Sequence, residues 1–104
     1  MIGDRDLDVE RDLSSTPWLL DLVGQAAGQY GDQSYFFQRQ EAVGDDHTPF
    51  MERKVPCADI IDFDYGYQNA FWHTPEDTMD KLSAKSLTIV GDVFLETIRL
   101  LNQR

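Results

Sequence analysis

The chain has two histidines, and each stands where it could do chemistry. His73 lies in "NAFWHTPEDTMD", after two large aromatics, Phe71 and Trp72. The residues that follow have the form of a capping box. Thr74 can accept from a first-turn amide, Pro75 suits the first helical position, and Glu76 and Asp77 suit a helix N-terminus. This predicts a helix entered at Thr74, with His73 on fixed backbone just ahead of it. The positive end of such a helix disfavours imidazolium and leaves the neutral ring, the form that binds a metal. The same residues also suit an imidazole that only packs and hydrogen-bonds among aromatics. His47 closes a second cluster, "VGDDHTPF", in which Asp45, Asp46 and His47 follow a glycine. Such a trio can orient a metal's ligands and hold protons. It can equally form a turn, with the aspartates bonding local amides and Pro49 starting a helical turn. "DFDYGYQN" pairs two aspartates but lacks the later oxygen ligands of a calcium loop. Gly-rich phosphate loops, paired cysteines, H-E-x-x-H and G-x-S-x-G are all missing.

The elements that must position these residues follow from periodicity and caps. The first thirteen residues are acidic and read as an irregular lead-in. "SSTPWLLDLVGQAAGQYG" predicts a helix capped by Ser15 or Thr16, started by Pro17 and ended by Gly31. Its apolar stripe is Trp18, Leu19, Leu22, Val23, Ala26, Ala27 and Tyr30. "SYFFQ" (34–38) predicts a short strand, and "TPFMERK" (48–54) a single helical turn. "PCADIIDF" (56–63) is a continuous apolar run, predicting a strand buried on both faces of a parallel sheet, with Cys57 buried. From Ser83 to about Asn102 the sequence predicts a long helix whose Leu87, Val90, Phe94, Ile98 and Leu101 face the core. Helix, strand, strand, helix is an α/β order. Two short strands make no stable sheet, and both helices carry broad apolar faces, so the chain reads as part of something larger.

The totals narrow the function. A chain of 104 residues is one domain at most, and 41% hydrophobic with 12% aromatic content is globular rather than disordered. Nineteen acidic against nine basic residues give a net charge of −10. That disfavours nucleic acid and anionic membranes, and suits cationic groups such as a peptide amino terminus or a metal ion. One cysteine forms no internal disulfide. No stretch has transmembrane length, and the start has no basic, apolar signal-peptide pattern, which leaves localisation open.

Taken together, "DDHTPFMERKVPCADIIDFDY" and "WHTPEDTMDKLSAKSLTIVGDVFLE" resemble the carboxyl-terminal part of the zinc-dependent aminopeptidases and glutaminyl cyclases. "MIGDRDLDVERDLSSTPWLLDLV" is similar to the segment those proteins carry just before it, so the resemblance covers essentially the whole chain. It implies a three-layer α/β/α sandwich of which this is the carboxyl-terminal portion. It implies that His73 is the family's last metal ligand and that Trp72 is an aromatic wall of the substrate pocket. Asp45 would be a catalytic carboxylate in a hydrogen-bond network at the substrate nitrogen, with Asp46 and His47 in support. The implied cofactor is zinc, the implied substrate class a peptide amino terminus, and the family is often periplasmic or secreted. The family's other ligands and its glutamate base have no counterpart here, and Met1 occupies the place of a further family aspartate. The expectation is therefore a fragment, inactive alone, that binds zinc weakly and needs a missing amino-terminal half or copies of itself. The competing expectation is a non-catalytic acidic interaction module. Peptidase and cyclase both remain open.

Overall fold

The residues "VERD" alternate across a pleat, and in the computed structural model, which describes residues 1–104, they form a strand, β1 (Val9–Asp12). The acidic lead-in is therefore not irregular throughout. Val9, Glu10 and Asp12 are all buried, so two acidic side chains are internal. The second strand, β2 (Phe36–Glu41), runs parallel to β1, with Val9 opposite Phe36, Arg11 opposite Gln40 and Asp12 opposite Glu41. β2 carries the extra residues of an irregularity between the first two pairs. Phe37, with φ of 62°, turns the chain there. The predicted strand at 34–38 thus starts two residues later and runs further.

Helix α1 (Pro17–Gln29) has Thr16 at its N-cap and proline in its first turn, and Gly31 leaves it with φ of 70°, the conformation that favours glycine. Helix α2 (Thr48–Glu52) is the single turn expected after Pro49. Helix α3 (Ala84–Leu101) starts where Ser83 Oγ accepts from the Ser86 amide at 3.1 Å. α1 and α3 pack on each other. Val23, Ala26 and Ala27 of α1 share one core with Ile89, Val90, Val93 and Leu100 of α3 and with Leu7, Val9 and Phe36. One helical layer therefore covers the Val9 face of the sheet. Pleat alternation turns Glu10 and Asp12 to the other face. The molecule is a small mixed α/β fold, part of a layered sandwich.

Four expectations need correction. Residues 56–63 are extended beside β1 but form no strand. Pro56 has no amide hydrogen to give, the Cys57 amide donates to Thr16 Oγ1 (3.0 Å), and the Asp59 amide donates to Ser15 Oγ (2.9 Å). Side-chain hydroxyls thus replace the ladder, and a true backbone bond to β1 is the Glu10 amide to the Ile61 carbonyl, 2.9 Å. Cys57 is half-buried, not buried. The core face of α3 is also rotated from the predicted stripe. Val90 is buried as expected, but Leu87, Phe94 and Ile98 are 50%, 59% and 39% exposed. These side chains instead line an open apolar cleft of about 520 Å³ with Ile2, Leu19 and Ile60. On α1 likewise, Leu20 is buried while Trp18 and Tyr30 are exposed.

Candidate functional site

On the polar face of the sheet, three segments converge. Asp12 ends β1, His47 precedes α2, and Asp59 lies in the extended segment. One ligand-type atom from each lies within 4.8 Å of the others, the one group of three such side chains in the fold. Asp12 is completely buried and tightly held. Its Oδ1 accepts from the amides of Ser14 and Val43 (both 2.9 Å), and its Oδ2 accepts from Ser15 Oγ at 2.6 Å. Burial alone would push its pKa up, but these bonds and the neighbouring His47 bring it below the usual carboxylate range. His47 Nε2 stands 2.7 Å from Asp12 Oδ2, yet the ring N–H is not aimed at that oxygen and makes no hydrogen bond. His47 Nδ1 faces Asp59 Oδ2 at 3.7 Å, and neither atom has a hydrogen-bond partner. Burial, and then the Asp45 carboxyl beside it, push Asp59 up to about 6.

The second feature is the loop that carries Trp72 and His73. Gly66, with φ of 78°, starts it, and a Cβ there would meet the Phe71 ring at 2.6 Å. The Tyr65 amide donates to Asn69 Oδ1 (2.9 Å), the Phe71 amide to the Tyr65 carbonyl (3.0 Å), and the Tyr65 hydroxyl to Asp77 Oδ1 (2.6 Å). Gln68, Asn69 and His73 all adopt left-handed backbone. The His73 ring stacks on Trp72 with centroids 3.9 Å apart, and Trp72 meets Phe63 edge-on at 5.0 Å. Both Trp72 and His73 are exposed. No helix starts at Thr74, which corrects the capping-box expectation. The Thr74 hydroxyl donates back to the carbonyls of Ala70 and Phe71, and turns continue to a short 3-10 turn at Met79–Lys81. The cap at Ser83 prevails. The argument from a helix N-terminus therefore does not apply to His73.

Residues 3–98 match Peptidase family M28. The chain belongs to that family. Among solved structures, an Acidobacteriales bacterium glutaminyl cyclase is similar to all of this M28 chain at 56% identity and a TM-score of 0.96; the match covers 37% of the cyclase. A Tannerella forsythia glutaminyl cyclase is similar over 94% of the chain and 36% of its own length, at 30% identity and a TM-score of 0.84. A zinc-dependent exopeptidase from Parabacteroides distasonis ATCC 8503 is similar at 27% identity and a TM-score of 0.83, again over 94% of this chain and 36% of its own. The M28 segment thus spans well under half of the relatives it matches. No curated protein sequence matches it.

The M28 family and its zinc-dependent neighbour imply zinc. Around His73 the residues of this chain do not make a zinc site, since His73 joins no group of three ligand-type side chains and zinc sites keep at least three protein ligands. Of the residues singled out in the sequence, the structure brings together His47 and Asp45, both next to Asp59. Asp46 is exposed, its amide donating to Asp45 Oδ1 at 2.9 Å. Trp72 and His73 form a unit of their own. Asp12 and Asp59 were missed: one lay in the acidic lead-in and the other in an apolar run. The signal available was the lone charged residue, Asp59, inside "PCADII".

Proposed function

We propose that this chain is the carboxyl-terminal part of a glutaminyl cyclase-like M28 enzyme, without turnover of its own. The observation that carries this reading is the 56% identity over the whole chain to a glutaminyl cyclase of which it covers 37%. The choice of cyclase over aminopeptidase rests on that match alone, since the exopeptidase at 27% identity stands level with the Tannerella forsythia cyclase at 30%. In the completed enzyme the roles would be those of the resemblance. His73 supplies one metal ligand, Trp72 a wall for the substrate's amino-terminal residue, and Asp45 a carboxylate at the substrate nitrogen, with Asp46 and His47 behind it. In the chain alone, the stack on Trp72 fixes the His73 ring and the Asp59 carboxyl meets that of Asp45. Neither amounts to a catalytic centre.

The test is a chimera joining this chain to the amino-terminal part of the Acidobacteriales cyclase, assayed on glutaminyl peptides and on aminopeptidase substrates. The chimera should cyclise, lose turnover in His73→Ala, and leave aminopeptidase substrates intact. The 104-residue chain alone should show neither activity. Zinc-dependent turnover by the isolated chain, or a chimera that cleaves amino-terminal residues instead, would overturn this reading.

A further inference from the structure

We propose that the outer edge of the extended segment, at Ala58 and Ile60, receives a parallel β-strand from the chain that precedes residue 1 in the longer M28 relatives. The inference rests on the reading of this chain as the carboxyl-terminal part of such an enzyme. Residues 57, 59 and 61 turn their backbone toward α1 and β1. The Cys57 amide donates to Thr16 Oγ1, the Asp59 amide donates to Ser15 Oγ, and the Ile61 carbonyl accepts from the Glu10 amide. Backbone groups of alternate residues point to opposite sides of an extended chain. Those of Ala58 and Ile60 therefore point away from β1, and neither the amide nor the carbonyl of either residue makes a hydrogen bond. Unpaired groups along an edge are a template for another strand, which satisfies them in series.

Further observations say what takes this edge and which way it runs. The terminal nitrogen of Met1 donates to the Asp62 carbonyl at 2.7 Å, which puts Met1 on the same edge, at the next outward-facing residue after Ile60. In a longer chain that nitrogen is a peptide amide and keeps the bond. A strand that covers both Ala58 and Ile60 must lead into Met1 from the Ala58 end. It therefore runs in the direction of the segment, parallel as β1 and β2 are to each other. The space beside the edge is apolar: Ala58, Ile60 and Ile2 line the open cleft with Leu19 of α1 and Leu87 and Phe94 of α3. A strand there turns every second side chain into the cleft, so those positions are apolar. The Acidobacteriales cyclase holds the fold of this whole chain, at a TM-score of 0.96, within 37% of its length, and the rest of it must pack outside that fold. A strand at this edge would continue the sheet past the extended segment and cover the cleft.

The experiment measures hydrogen exchange at single amides in the isolated chain, at concentrations where it is monomeric, and in its chimera with the amino-terminal part of the Acidobacteriales cyclase. The Glu10 amide, bonded to the Ile61 carbonyl, reports that this part of the fold is intact in both. The Ala58 and Ile60 amides should exchange freely in the isolated chain and on the order of 100-fold more slowly in the chimera. Turnover by the chimera tests the cyclase reading and exchange tests the strand, so either can fail without the other. Should the chimera not fold, overlapping peptides of about eight residues, a strand's length, are taken from that amino-terminal part and added to the isolated chain. One of them should slow the same two amides. Three results would each overturn the proposal. They are a folded chimera in which both amides exchange as fast as in the isolated chain; an unfolded chimera and no peptide that slows them; and slowing that grows with the concentration of the isolated chain but is missing from the chimera, which would give the edge to a second copy.

Discussion

Glu10 is 1% exposed, and neither of its carboxylate oxygens has a hydrogen-bond partner. Burial, and then the Glu41 carboxyl beside it, push its pKa up to about 7. Burial, and then the Asp4 carboxyl beside it, push Asp62 up to about 7 as well. Both values lie above the unfolded ones, 4.5 and 3.8, so the native chain keeps protons that the unfolded chain has released. Stability therefore falls as pH rises from about 4 to 7, because the native state binds more protons in that window. Urea midpoints measured at about pH 5 and pH 7.5 should drop for the wild type and drop less for Glu10→Gln. An equal or larger drop in the variant would remove Glu10 from the account. Gly66 gives a second test. Its φ of 78° and the Phe71 ring 2.6 Å from a would-be Cβ make Gly66→Ala strained. The cost should be about 1–3 kcal/mol in thermal or urea unfolding.

Elements were legible where their signals were local. Pro17, Gly31, Pro49 and Ser83 mark helix ends in the sequence and in the structure. β1 was not legible, because a strand with two buried acids is improbable until its distant partners are known. The Val43 amide satisfies Asp12 from 31 residues away. The segment 56–63 failed in the opposite way: its apolar content was right, but hydroxyls of Thr16 and Ser15 take the amides that a ladder would use. The α3 stripe was misplaced because periodicity identifies an apolar face without saying what covers it. A pair of substitutions measures this. Leu20→Ala, at 1% exposure, should cost about 2–5 kcal/mol. Phe94→Ala, at 59% exposure, should stay within about 0.5 kcal/mol when unfolding is followed at concentrations low enough for the chain to be monomeric, as surface changes do.

At the scale of the molecule, the main surface feature is the open apolar cleft between α1, α3 and the extended segment. Leu87, Phe94 and Ile98 present to solvent what a layered fold normally covers. We expect the isolated chain to self-associate through this face despite its net charge of −10. Sedimentation velocity should show dimers or larger species, shifted toward monomer by Phe94→Ser. A wild-type chain that stays monomeric at high concentration, with a sharp thermal transition, would refute that expectation. Family membership and the carboxyl-terminal motifs were legible from the sequence because they are stretches of contiguous residues. The Asp12–His47–Asp59 cluster was not, because its members are 35 and 12 positions apart and meet only through the fold.

The stack of His73 on Trp72 makes this loop its own optical gauge. An imidazolium laid against an indole drains its excited state, whereas a neutral ring does so far less. With the planes 18° apart and the centroids at 3.9 Å, Trp72 emission therefore reports whatever happens to the His73 ring. Trp18, under the Arg104 guanidinium at 4.0 Å, is the only other indole, and Trp18→Phe removes its background. In that variant, His73→Ala should change the Trp72 emission, and a spectrum identical to that of the parent would show that the stack does not form in solution.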